Sequence, residues 1–133
     1  MGVGEDGIYR GDVSAIQHRI SHSKNVIAYA RSSRIIRIRV QPELLVYMGR
    51  ERDHVIVDNK YCSCMSFILS IGSGELKGCK HMAALAIAGE RGWVVDASSM
   101  VDAESVSRIV WEVLTGEFTM TLRRILHKNN VTI

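Results

Sequence analysis

Residues 61–85 read YCSCMSFILSIGSGELKGCKHMAAL, and all three cysteines of the 133-residue chain fall inside this stretch. Cys62 and Cys64 form a Cys-x-Cys pair, and Cys79 and His81 form a Cys-x-His pair after a further fourteen residues. Three thiolates and one imidazole complete a tetrahedral zinc shell, with no coordination position left for water or substrate. The pattern therefore points to a metal that holds structure. In an extended strand, residues two apart share a face. Cys62 and Cys64 can thus approach one ion from a strand end without the tight turn of a Cys-x-x-Cys knuckle. The run CKHMAALAIAGERG is alanine-rich and ends in glycine, which predicts a helix with a stop signal. Cys79 then stands at a helix N-terminus, where the helix dipole favours its thiolate.

The competing reading of a cysteine is a small buried hydrophobe. Clustering of all three with a histidine at matching spacing, and glycines between, favours metal. Lys60, Lys77 and Lys80 flank the two pairs and offset the net negative charge of three thiolates and a divalent ion. His18, His22, His54 and His127 lie outside the pattern and read as ordinary surface or core histidines.

Cys-x-Cys, a variable gap and Cys-x-His is the pattern of a SWIM zinc finger, which this window resembles. Phe67 follows the second cysteine by three residues, Lys80 sits inside the second pair, and Ala84 follows the histidine by three. A small residue at Ala84 lets the helix pack close to the metal knuckle. The string YCSC-x-SF…CKH is most similar to the small SWIM proteins of the Shu-complex type, which assist homologous recombination, and to their archaeal members in particular. The resemblance covers about residues 25–115, most strongly 61–85. It implies an accessory protein working beside a RecA- or RadA-type recombinase paralogue. Such a protein would promote recombinase filaments on single-stranded DNA, with the finger supporting the protein contact.

The length suits one compact domain, and 47% hydrophobic residues with 6% aromatic predict a core of Ile, Val, Leu and Met. No apolar run reaches the length of a membrane span. The start, MGVGEDGIYRGD, is too polar for a signal peptide. A soluble intracellular protein, cytoplasmic or in the nucleoid or nucleus, is expected, where thiols stay reduced. Net charge is +3, yet residues 13–42 carry six basic residues and no acidic one. Such a stripe suits nucleic acid or an acidic protein partner equally.

The expected fold is α+β: a small antiparallel sheet or hairpin, the finger, and packed C-terminal helices. Residues 1–12 read as a loose, glycine-rich start. Asp12 is a candidate cap for a short helix carrying Val13, Ile16 and Ile20. Residues 26–60 read as basic strand and hairpin. VIAYA at 26–30 is expected to be a strand. RIIRIRV at 34–40 alternates, with Ile36, Ile38 and Val40 on one side and Ile35, Arg37 and Arg39 on the other. A half-buried strand presenting its arginines outward is expected. LLVYM at 44–48 and HVIVD at 54–58 flank Gly49-Arg50-Glu51-Arg52, a hairpin loop. Asp58-Asn59-Lys60 turns into the finger at 61–90, which includes a short apolar helix at 66–71. Two amphipathic helices follow within 99–128. The first is capped by Asp102 and stopped by Gly116; the second is expected over 117–127 with Phe118, Leu122, Ile125 and Leu126 on one side.

Catalytic patterns are missing. The chain has no His-x-Glu with Pro-Cys-x-x-Cys for a deaminase, no His-Glu-x-x-His for a protease, and no Gly-Lys-Ser/Thr for a P-loop. A non-enzymatic role is expected. Arg34, Arg37, Arg39, Arg50 and Arg52 are the candidate nucleic-acid or partner contacts. Alternatives to the recombination role are an independent DNA- or RNA-binding regulator and a protein–protein adaptor.

Overall fold

The computed structural model describes residues 27–28, 30–31, 34–74 and 79–131. The expected loose start at 1–12 and the helix carrying Val13, Ile16 and Ile20 lie outside the described residues. Among the described residues, five strands form one sheet: β1 (Arg34–Arg39), β2 (Leu44–Met48), β3 (Asp53–Val57), β4 (Tyr61–Cys62) and β5 (Val95–Asp96). Their order is β4-β3-β2-β1-β5, antiparallel except for the parallel β1–β5 pair. Among the described residues, α-helices follow the sheet strands at α1 (Met65–Gly72), α2 (Lys80–Arg91), α3 (Ala103–Leu114) and α4 (Met120–Lys128), giving an α+β fold. Among the described residues, no helix is long and apolar enough to cross a membrane.

Strand alternation builds two cores. On one face Ile35 pairs with Tyr47, Leu45 with Ile56, and Ile56 with Cys62. These side chains pack with Phe67, Met82, Ala84, Leu85 and Ala88 of the finger helices. On the other face Ile36, Ile38, Val46 and Met48 pack against Val106, Ile109, Leu122 and Leu126 of α3 and α4. β1 is therefore covered on both faces, not half-buried as its alternation suggested: Ile35, Ile36 and Ile38 are all buried. Alternation of Ile with Arg is compatible with two cores when arginine finds carboxylates at the sheet rim. Arg37 does so, pairing with Asp96 of β5 and reaching Glu43 at 3.7 Å.

The expected strand at 26–30 is overturned. Residues 27, 28, 30 and 31 are helical, Ala30 is buried in the finger-side core, and Ile27 packs against it. β1 already has β2 on one edge and β5 on the other, so no place remains beside it for a further strand. β5 itself is too short to leave a sequence pattern.

The β2–β3 hairpin forms with the loop at 49–52. A Cβ on Gly49 would lie 2.3 Å from the Arg52 carbonyl oxygen, so only glycine fits this turn. Asp58 and Asn59 hold φ of 49° and 54°, the left-handed values that Asp and Asn tolerate, and fold β3 back into β4. Gly92, at φ 70°, ends α2 as its composition predicts.

The C-terminal helices differ from expectation at one end. Asp102 caps α3 by accepting from the Ser105 N–H at 2.8 Å, as predicted. α4, however, begins at Met120, and Phe118 precedes the helix with 40% of its surface exposed. The cause is Asp53. Its fully buried carboxylate accepts from the Thr119 N–H at 2.8 Å and the Thr119 hydroxyl at 2.7 Å, fixing Thr119 as the point where the helix starts. Arg123, one turn later, donates to both oxygens of the same carboxylate.

Candidate metal centre

Each of the four predicted ligands is delivered by the end of an element. Cys62 is the last residue of β4. Cys64 caps α1, its sulfur accepting from the Phe67 N–H at 3.4 Å. Cys79 caps α2 in the same way, accepting from the Met82 N–H at 3.4 Å. His81 lies in the first turn of α2. Two thiols thus sit at helix N-termini, where unpaired N–H groups and the dipole favour the thiolate.

Three sulfurs and one imidazole nitrogen converge, all within 4.8 Å of one another, and all four residues are buried. The Cys62 sulfur is 3.9 Å from the His81 Nδ1. A tetrahedral ion at standard bond lengths places sulfur and nitrogen about 3.6 Å apart, close to this pair, and two sulfurs about 3.8 Å apart, so the cage would draw in by up to about 1 Å around one ion. The protonation of the sulfurs agrees. Hydrogen bonds from Cys62 and then Cys79 hold the Cys64 thiol well below its usual range. The same contact with Cys64 pushes Cys62 up. At Cys79 the bond from Cys62 lowers the value, but Cys64 and burial outweigh it and raise the thiol to about 11. The buried Cys3His group could hold a metal ion on these grounds.

The surrounding wall is aromatic. Tyr47 meets the His81 ring edge-on at 4.7 Å between centroids, and Phe67 meets Tyr61 edge-on at 5.6 Å. Phe67 is buried beneath the cage, and Ala84 has no exposed surface on the side of α2 that meets the sheet core. Replacing Ala84 by leucine inserts three carbons where no space exists. We expect a loss of about 1–3 kcal/mol, read from the denaturant midpoint of metal-loaded protein; an unchanged midpoint would show that α2 is free to move.

His54 was not distinguishable in the sequence, and its position is a finding. It pairs with Tyr47 across β2–β3 and lies 4.3 Å from the His81 ring. Burial pushes its imidazole down to about 4, with His81 adding to the effect. A neutral ring thus backs the histidine ligand, while His54 is not one of the four converging groups. The only sequence signal was its place on the strand: it is one of the residues that share the face of Cys62.

The five candidate arginines do not form one stripe. Arg34 pairs with Met48, beside the loop that carries Arg50 and Arg52. Arg39 pairs with Leu44 at the other end of β1, about 16 Å away at strand spacing. Arg34, Arg39, Arg50 and Arg52 are exposed. Arg37 is half-buried and held by Asp96 and Glu43, which corrects its expected outward presentation. The ion pair holds the Asp96 carboxyl far below the usual range, with Ser98 hydrogen bonds adding to it. Compared with known proteins, the chain matches no family model, no curated protein and no solved structure.

Proposed function

We propose that the chain is a non-catalytic, zinc-stapled accessory module of homologous-recombination repair, acting beside a RecA-type recombinase paralogue on single-stranded DNA. The observation that carries this reading is the convergence of Cys62, Cys64, Cys79 and His81 from a Cys-x-Cys and a Cys-x-His pair. That pairing resembles the SWIM finger, and the Cys3His donor set suits zinc best among the common metals. Four protein donors fill a tetrahedral shell, so the ion has no position for substrate and serves to fold the finger. The zinc fixes α1 and α2 on the sheet, and the exposed arginines at the two ends of β1 supply the cationic contacts. A free-standing nucleic-acid-binding regulator is the second reading, favoured by the exposure of Arg34, Arg39 and Arg50 outside any ion pair among the described residues.

The two readings separate in a binding experiment. Arg34→Glu, Arg39→Glu and Arg50→Glu combined leave Arg37 and its carboxylates intact. If the three side chains contact phosphate, the slope of log affinity against log salt for a single-stranded oligonucleotide falls by about 2. Co-purification of wild-type protein with a RecA-type recombinase from the same cells, at salt that abolishes DNA binding, supports the accessory role. DNA binding without any such complex favours the regulator. Neither DNA nor recombinase binding leaves a protein adaptor and removes the repair reading.

A further inference from the structure

The outer face of α3 carries an aromatic side chain that the fold does not use. Val106, Ile109 and Val113 turn inward. Trp111 turns outward with 66% of its surface exposed, and Leu114, one turn later, is 60% exposed. Trp111 is set in an open groove of about 590 Å³ lined by Glu104, Ser107, Arg108, Glu112 and Glu117. The Glu112 carboxylate is engaged, accepting from the Thr121 N–H at 3.2 Å and the Thr121 hydroxyl at 3.0 Å. Glu104 and Glu117 are exposed and have no ion pair among the described residues.

Charge marks the same place. Residues 102–117 hold four acidic residues (Asp102, Glu104, Glu112, Glu117) and one basic (Arg108), a net of −3 in a chain of net +3. The other tryptophan shows what this chemistry accepts. Trp93 has Arg31 at 5.6 Å and Arg91 at 5.4 Å from its ring, both within cation–π range. Trp111 has no cation over its ring among the described residues, yet it carries carboxylates on its flanks. A guanidinium laid on the Trp111 face can pair with Glu104 or Glu117, while an apolar neighbour covers Leu114.

We propose that this face is a docking groove for an arginine-bearing amphipathic segment of a partner protein. Trp111 is the anchor, Glu104 and Glu117 orient the cation, and Leu114 receives the apolar side chain. The proposal needs neither the metal reading nor the repair reading, so it can fail while they stand.

The test uses two synthetic 18-residue helical peptides of leucine and alanine, one carrying arginine and the other glutamate at the same positions. The arginine peptide is expected to bind the full chain and to shift the Trp111 indole N–H resonance, but not that of Trp93. Trp111→Ala, a surface change that leaves the core intact, is expected to weaken binding about thirtyfold. Glu104→Gln with Glu117→Gln is expected to weaken binding by a margin that widens as salt is lowered, because wild type gains from reduced screening and the variant does not. Equal binding of both peptides, an unmoved Trp111 resonance, or unchanged affinity in Trp111→Ala would overturn the proposal. So would sedimentation showing a wild-type dimer that Trp111→Ala turns into a monomer, because a second copy would then fill the groove.

Discussion

Cys64→Ala and His81→Ala, made separately, will each lose bound metal and the fold of the finger. Both residues are buried, and each brings two elements together at the converging group. Cys64 ties α1 to β4, and His81 ties α2 to Cys62 across the cage. A metal bound in a site absent from the unfolded chain contributes its binding energy to folding, on the order of 10 kcal/mol in small fingers. Local unfolding is expected first. Amides of residues 65–72 and 80–91 should exchange at unprotected rates. Those of α3 and the Ile36 side of the sheet should stay protected, because that core is built from other side chains. Metal content and melting like wild type in either variant would contradict a structural metal.

Asp53→Ala is the second large effect. The Asp53 carboxylate is fully buried and binds Thr119 twice and Arg123 at both oxygens, with the Gly49 N–H at 3.3 Å as a further donor. Removing it strands the buried Thr119 hydroxyl and the Arg123 guanidinium together, and the loss should be about 3–5 kcal/mol. Its pH dependence has a defined sign. Burial pushes the Asp53 carboxyl up, but Arg123 and Thr119 outweigh burial and hold it below the ordinary value of 3.8. The stabilisation is then complete above the unfolded carboxylate range and is lost as pH falls through the lower folded value. Denaturant midpoints from pH 7 to pH 2 should therefore fall more steeply for wild type than for Asp53→Asn. Parallel curves would show that Asp53 is not the titrating latch.

Local chemistry was readable in the sequence and distant pairing was not. The Cys-x-Cys and Cys-x-His pairs, the helix start at Cys79, the Gly49 hairpin and the Asp102 cap each depend on residues within a few positions of one another. Each carries a backbone requirement that few residue types meet. The helical state of residues 27, 28, 30 and 31 is not legible because apolar runs of five suit either structure. The outcome depended on Trp93 and α2, more than fifty residues away. The start of α4 is set from a distance in the same way. Phe118 continues the apolar period of Leu122 and Ile125, but Asp53, 66 positions from Thr119, decides where the helix begins. Alternation alone presents Arg37 outward, whereas its carboxylates come from a turn and from a two-residue strand with no pattern of its own. His54 carries only its strand-face position as a signal, and a histidine there is ambiguous until the opposite helix is in place.

The most direct test is elemental analysis of protein purified without chelators or affinity metals, together with a count of thiols that react with a neutral reagent. One metal ion per chain, zinc on the proposed reading, with all three thiols shielded until a chelator is added, is the expected result. Folded, metal-free protein with Cys62, Cys64 and Cys79 reacting freely would contradict it.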